Sequence, residues 1–314
     1  MKDCDEFCIL IPTRNRRREV EILLKSILGS TLMPSQIIII SSGEDIGDTI
    51  ERYSDALEII YIHSEVAGQI NQKKLGLSLL SRRIKWVVFL DDDLVVMPDT
   101  FENALGQIEK FENLNHKEVL GLGFGLPTTT RFIKQGNFSR VIAKMFGIKN
   151  HPPGRVLSNG HATSYLDQST VIETQWLNGA SIWRVESTRN YGLHGISSSY
   201  AACEDLIFSY PVGKVGTLIY CPYARVDFQS SELTNFERPS VYISALYWRY
   251  FFVLEHKEFS IMKFNLAQIG RLLFALTHTR EERIKFFLVA FPATLKVLVD
   301  SAFSRNSRKF LNSI

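Results

Sequence analysis

The chain has 314 residues, 45% of them hydrophobic and 22% charged, ordinary proportions for a globular protein with room for a large core and, by length alone, for two domains. A net charge of +3, from 36 Lys and Arg against 33 Asp and Glu, is too balanced to suggest a nucleic-acid binder. The four cysteines, Cys4, Cys8, Cys203 and Cys221, make no CxxC pair and no zinc spacing, which fits scattered thiols in a reducing compartment.

Phe7 to Ile11, ended by Pro12, reads as a first strand. A helix follows with Val20, Leu23, Leu24, Ile27 and Leu28 at helical spacing. The isoleucine run from 37 to 40 reads as a strand buried on both faces, and Ser41-Ser-Gly-Glu-Asp45 as a turn before a helix from Ile46 to Tyr53. Leu57 to Ile62, Ile70 to Ser81 and Trp86 to Leu90 continue as strand, helix and strand. Four alternations in about ninety residues predict an α/β, doubly wound, mostly parallel sheet flanked by helices. Pro98-Asp99 precedes a further helix, with Asp99 and Glu102 spaced for a capping box. Val119 to Leu126 reads as a strand, and the Gly-, Pro- and Ser-rich stretch to Leu166 as a long loop. Trp176 to Trp183 reads as a strand or bent hairpin, a helix follows Glu204-Asp205, and Leu218 to Tyr220 is a strand.

From about Ser240 the pattern is helical: Tyr242 to Glu255, Met262 to Thr277 and Glu281 to Phe303. The expected organisation is a catalytic domain over 1–235 and an amphipathic helical extension over 236–314. Between Arg271 and Lys309 there are eight Lys and Arg against three Asp and Glu, so the helices either dock on an anionic membrane surface or pack on the first domain. No apolar run reaches the ~18–20 residues of a membrane span. Met1-Lys-Asp-Cys-Asp-Glu has no apolar signal region, so the expected location is the cytoplasm, peripheral to the inner membrane face if the helices dock. The sequon Asn137-Phe-Ser139 is then a chance match.

Chemistry concentrates where strands end. Trp86-Val-Val-Phe-Leu90 runs straight into Asp91, Asp92 and Asp93. Like charges at ~4 Å cost roughly 4 kcal/mol per pair at a protein-like dielectric, so the cluster is either a solvated acidic turn or a site for a hard divalent cation. Pro12-Thr-Arg-Asn-Arg16 after the first strand suits a ribose or phosphate; Arg14 or Arg16, opposing a helix dipole, calls for an anionic ligand, whereas Arg17 and Arg18 read as a solvated helix start. Lys73 is placed to reach a diphosphate or to lie exposed on its helix. Glu204 and Asp205 open a helix, either as favourable dipole partners or with one serving as a general base. Motifs for a GxxxxGK[ST] phosphate loop, GxGxxG, HExxH and GxSxG are absent.

In order and spacing, Ile-Leu-Ile-Pro-Thr-Arg-Asn-Arg16, Val-Val-Phe-Leu-Asp-Asp-Asp93, Trp-Leu-Asn-Gly-Ala180 and Cys-Glu-Asp-Leu206 resemble the family 2 glycosyltransferases of GT-A fold, over roughly residues 7 to 230. The resemblance implies a nucleotide-diphosphate sugar donor, Mg2+ or Mn2+, inversion at the anomeric carbon, and a glycan or lipid-linked acceptor, as in cell-surface polysaccharide synthesis. It implies Pro12, Thr13 and Arg14 at the nucleoside, Ser42 near the base and Lys73 at the diphosphate. It implies Asp93 as metal ligand, with Asp91 or Asp92 nearer the ribose and Asp91 a second candidate ligand. Trp176, Gly179 and Ala180 would shape the sugar and acceptor pocket, with Asp205 as catalytic base and Glu204 its acidic neighbour. The chain departs from the family at Ser41-Ser-Gly43, which lacks an acid, at Pro211 in place of an arginine, and at Ala224 to Ser230, which has no histidine; Asp227 is the substitute ligand to consider there. The alternatives are a nucleotidyltransferase of related fold, which would carry a glycine-rich loop after strand one, and a non-catalytic sugar-nucleotide-binding or scaffold protein.

Overall fold

Apolar runs separated by polar turns become strands and helices much as their periodicity predicts. The computed structural model describes residues 6–127, 151–191, 202–229, 239–275 and 280–302. The Asn137 sequon, most of the predicted 127–166 loop and the basic residues after 302 lie outside these.

The first half alternates β1 (Phe7–Arg14), α1 (Arg17–Leu28), β2 (Gln36–Ser42), α2 (Gly47–Glu51), β3 (Ile59–His63), α3 (Gln69–Ser78) and β4 (Trp86–Phe89). Then come β5 (Leu94–Val96), α4 (Thr100–Asn115), β6 (Val119–Gly125), β7 (Ile172–Thr174), β8 (Ser181–Arg184), a 3₁₀ turn over Val185–Thr188, α5 (Glu204–Val215) and β9 (Thr217–Phe228). The sheet order is β3-β2-β1-β4-β8-β6-β9-β5, with β7 also on β9. Strands β1 to β4, β6 and β9 run one way; β5, β7 and β8 run against them. The mostly parallel α/β sheet expected from the sequence is therefore present. Ile37 to Ile40 are all fully buried, each worth about 2 kcal/mol relative to exposure. On α1, Val20, Leu23, Leu24 and Ile27 face the same core.

Several local expectations are corrected. Trp176 to Ala180 is not strand but a loop leading into β8, because Trp176, Leu177 and Asn178 are held by side chains rather than by a ladder: Thr174 Oγ1 donates to the Trp176 carbonyl at 2.9 Å, Leu177 N–H to Ser209 Oγ at 3.0 Å and Asn178 N–H to Tyr165 Oη at 2.7 Å. The capping box at Asp99 does not form: Asp99 makes no side-chain cap bond, and Glu102 accepts from Thr31 Oγ1 at 2.8 Å instead. β9 extends well beyond Leu218–Tyr220, and its far end pairs with β5, which the sequence pattern did not reveal.

Two glycines permit close approaches that fix the layers. A Cβ on Gly76 would fall 2.1 Å from Leu10 Cδ1, so glycine lets α3 sit directly on β1. A Cβ on Gly121 would fall 2.6 Å from Trp183 Cε3, so β6 leaves room for the indole of β8.

The described residues form two units. The first comprises 6–127, 164–191 and 205–229; the second comprises 151–163, 202–204 and the C-terminal helices. The second unit thus includes two short segments that lie before the sequence boundary at 235. Its helices are α6 (Pro239–Glu255), α7 (Ile261–Ala275) and α8 (Arg280–Ala302). Leu246, Tyr247, Trp248, Tyr250, Phe251, Phe252 and Val253 make α6 its apolar centre. Among the described residues no helix is long and apolar enough to cross a membrane.

Candidate active site

Because β1, β2 and β4 are parallel, their carboxyl ends open on one edge, the edge at which open α/β sheets bind ligands. There Asp91, Asp92 and Asp93 follow β4 and take three different roles. Asp92 is 5% exposed and turned inward: its Oδ2 accepts from Thr13 Oγ1 at 2.6 Å and its Oδ1 from Arg16 Nη1 at 2.7 Å. Burial pushes its carboxyl up to about 6, with the Asp91 charge acting the same way against Thr13 and Arg16. Asp93 is partly exposed and takes a second bond from Arg16 Nη1, at 3.1 Å. Its carboxyl is also raised, by burial and then by Asp91, with Arg16 opposing. Asp91 Oδ1 accepts from Gln69 Nε2 at 2.7 Å.

Arg16 is therefore the internal counter-ion of the cluster, and its anions are the protein's own aspartates rather than an external ligand. The turn that aims it is local. Asn15 has φ +54°, a left-handed conformation that asparagine tolerates, and its Oδ1 accepts the Glu44 N–H at 2.7 Å. The next residue, Arg17, expected in solvent, reaches Glu44, Asp48, Thr49 and the Asp45 carbonyl, fastening α1 to the loop after β2.

Three glutamines, absent from the sequence expectations, tie the edge together. Gln72 Nε2 donates to the Thr13 and Ile40 carbonyls at 2.7 and 2.8 Å, joining α3 to the ends of β1 and β2. Gln229, just past β9, donates through Nε2 to the carbonyls of Glu19, Asp92 and Leu94 at 2.9 to 3.0 Å, and its N–H bonds the Asp93 carbonyl. It braces the aspartate turn from behind. Gln69 is the third, on Asp91. A glutamine carries no charge signal in a single sequence, so only the fold reveals these roles.

The remaining predicted residues divide. Pro12 and Ser42 are buried at the strand ends, Ser42 beside Gln72, while Arg14 is exposed. Lys73 is not the exposed helix lysine that the sequence allowed: it is 1% exposed, its ammonium 5.2 Å from the centre of the Phe89 ring. The close seat of α3 on β1 turns that face of the helix inward. Gly179 lies at the aspartates, where a Cβ would sit 3.5 Å from Asp91 Oδ2. Ala180 is buried, and the Trp176 ring packs 5.1 Å from that of Tyr165. Asp205 lies in the first turn of α5, its Oδ1 accepting the Leu206 N–H at 2.8 Å. Burial holds the Tyr165 hydroxyl well above its ordinary range, and the Asp205 charge adds to the shift. The 176–180 loop is thus held to α5 through Ser209 and to Tyr165 through Asn178, and Gly179 lies beside Asp91. Glu204 is buried at the start of α5.

For a divalent cation the fit is a partial cage. Asp92 has both oxygens engaged, leaving Asp93 and Asp91, both partly exposed and beside the bare backbone of Gly179. Among the described residues no three His, Cys, Asp or Glu side chains gather as a metal cluster; Asp227 lies on β9 opposite Val95. Two carboxylates with open positions suit Mg2+ or Mn2+, which complete their shells with phosphate oxygens and water.

With strand order and acidic edge in view, the similarities to known proteins are specific. The sequence model of glycosyl transferase family 2 matches residues 8–115, from β1 through α4. Over that stretch the chain is similar to glycosyl transferase family 2. A relative, an uncharacterized glycosyltransferase of Haemophilus influenzae (strain ATCC 51907 / DSM 11121 / KW20 / Rd), is 30% identical over 108 residues, which make up 34% of this chain and 36% of the relative. The chain therefore matches only about a third of that relative's length. The GT-A fold is shared with solved structures. S. aureus TarS matches at TM-score 0.53 and 14% identity, over 90% of this chain and 47% of TarS. TarS 1–349 in complex with UDP-GlcNAc matches at 0.52 and 14%, over 94% and 81%. The mannosyltransferase PcManGT from Pyrobaculum calidifontis, in complex with GDP-Man and Mn2+, matches at 0.53 and 13%, over 98% and 79%.

Proposed function

We propose that the protein is a metal-dependent, inverting glycosyltransferase that moves a sugar from a nucleotide-diphosphate donor to an acceptor hydroxyl. The observation that carries this reading is the aspartate turn at the carboxyl edge of a family 2 sheet, with one carboxylate locked inward and two left facing outward. Thr13 and Asp92 order the end of β1 under the nucleoside, and Gln69 and Gln229 hold the aspartate turn in register. A Mg2+ or Mn2+ on Asp93 and Asp91 would neutralise charge on the leaving diphosphate. Gly179 leaves space before Asp91 for the donor, and Asp205 on α5 accepts the proton of the acceptor hydroxyl as that oxygen displaces the diphosphate in line. The relatives bound to UDP-GlcNAc and to GDP-Man with Mn2+ support a nucleotide-sugar donor of this class.

The test is donor turnover across a panel of UDP-, GDP- and TDP-sugars, with and without Mn2+. Turnover of one donor, dependent on metal and lost in Asp93→Asn, is expected. Binding without turnover would leave a non-catalytic sugar-nucleotide protein, and transfer of a nucleotidyl group would make it a nucleotidyltransferase.

The acceptor in this reading is a glycan or lipid-linked hydroxyl at a membrane surface, as in cell-surface polysaccharide synthesis. Its support lies in exposed apolar stripes of the second unit: Met262, Leu266, Ile269 and Leu273 on α7, and Leu288, Phe291, Leu295 and Val299 on α8, at helical spacing. Lysines 263 and 296 lie on the same two helices. Such faces suit insertion at an anionic interface. Flotation with anionic liposomes, reduced in Met262→Glu/Leu266→Glu, tests this; flotation equal to wild type overturns it.

A further inference from the structure

In the second unit, two guanidiniums converge on one imidazole nitrogen. A tight turn sets the imidazole in place: Leu157 N–H bonds the His161 carbonyl at 2.8 Å, His161 N–H bonds Asn159 Oδ1 at 3.0 Å, and Gly160 has φ +75°. His161 is 5% exposed. Arg249 on α6 donates through Nη1 to His161 Nδ1, and Arg271 on α7 donates through Nη2 to the same atom at 2.9 Å. One ring nitrogen offers one lone pair, whereas each guanidinium carries five donors. Arg249 spends one more on Cys203 Sγ, a weak acceptor at 3.4 Å, and its Nε is buried without a partner. Neither arginine pairs with a carboxylate among the described residues.

The ring chemistry supplies more donors still. With Nδ1 accepting, His161 is neutral and carries its proton on Nε2. The Gln268 amide, 3.0 Å from Nε2, then turns its oxygen to the ring. Its NH2 falls on the other side of a fully buried amide, at the position that has no partner. Burial and the two guanidiniums hold His161 well below the usual histidine range, and burial with Arg249 pushes Arg271 down to about 10. Two positive groups, an amide and a neutral ring are thus assembled with no negative charge among the described residues.

We propose that Arg249, Arg271 and the Gln268 amide, ordered around His161, form a binding site for a phosphoryl group, either free or as the diphosphate of a lipid-linked molecule. Two guanidinium forks match the oxygens of a phosphate or diphosphate, and a dianion balances both charges, which a single carboxylate does not. The site lies within the second unit and is independent of the donor chemistry assigned to the sheet edge.

The probes are inorganic pyrophosphate, inorganic phosphate and a short-chain prenyl diphosphate, followed by thermal unfolding of the full chain at constant ionic strength. Saturating pyrophosphate should raise the melting temperature of the wild type by about 5 °C or more. Arg271→Gln and Arg249→Gln should each lose that shift, with binding at least about tenfold weaker. Without anion they should melt no lower than wild type, since one of two repelling charges is gone. Arg271→Lys, which keeps the charge but not the fork, should fold and bind pyrophosphate several-fold more weakly. A shift from pyrophosphate equal to that from the prenyl diphosphate supports a site for the phosphoryl group itself; a larger shift from the prenyl form supports a lipid-linked occupant. Asp93→Asn should keep the shift. The site is overturned if no probe shifts the wild type, if the arginine variants melt lower with the shift intact, or if Asp93→Asn alone abolishes it.

Discussion

The two charged clusters of this protein solve opposite problems. At the sheet edge, three carboxylates meet one guanidinium held within hydrogen-bond reach, and one of the three is buried with its pKa raised. In the second unit, two guanidiniums meet a neutral imidazole and no acid among the described residues. The acidic cluster has an internal counter-ion and so is a stable turn even before a ligand arrives. The basic cluster has none among the described residues, and in the proposal above a bound phosphoryl group supplies it. Charge surplus alone is therefore a poor guide to a ligand site; what matters is whether the chain supplies the opposing charge.

The sharpest way to break this comparison is at the chemistry assigned to the first cluster's neighbourhood. Asp205→Asn is expected to lower kcat by about 10²–10⁴-fold while donor affinity stays within about twofold. Equal turnover in steady-state assays would remove Asp205 as the base. Next in size is the internal counter-ion. Arg16→Gln leaves Asp92 buried without its cation and should cost about 1–3 kcal/mol in urea unfolding at pH 7. Mn2+ should recover more stability in this variant than in wild type; an unchanged midpoint would mean that Arg16 does not balance the turn.

The pH response separates the clusters by sign. His161, facing Arg249 and Arg271, stays neutral in the folded chain well below its ordinary 6.5. Below pH 6.5 the unfolded chain takes a proton there that the folded chain refuses, so stability falls as pH drops, by up to about 1.4 kcal/mol per pH unit from this group. His161→Asn keeps an acceptor near Nδ1 and should flatten that slope in denaturant melts at pH 5 to 7. The smallest effect is at Gly179. Its added Cβ would make only ordinary contact with Asp91, so Gly179→Ala should leave the melting temperature within about 1 °C but raise donor KM several-fold.

Much of the first unit was legible in the sequence because its signals are local. The isoleucine run, the 3.6-residue spacing of α1 and the Trp86–Leu90 run each encode one element without reference to the rest. The aspartate turn was legible for the same reason, since adjacent like charges need an explanation wherever they occur. What escaped depended on distant pairing. β5 is three residues long and exists because β9 runs beside it. Lys73 reads as a diphosphate contact or an exposed cation, and its burial becomes visible only once Gly76 seats α3 against β1. Arg16 was visible as an oddity at a helix start, but its partners are more than seventy residues away. His161 sits in a Gly- and Ser-rich stretch with no periodicity, and its two arginines come from separate helices.

In the proposed metal-dependent reaction, the left-handed turn at Asn15 has a consequence for how the acidic edge would take up its cation. It tethers Arg16 to the aspartates, so a divalent ion arriving there enters a competition between a bound cation and a diffusible one. A short tether keeps the guanidinium at an effective concentration in the millimolar range or higher. Loosening the turn would lower that concentration without touching a single ligand. In that proposal, residue 15 would set the metal concentration at which the edge exchanges one cation for the other.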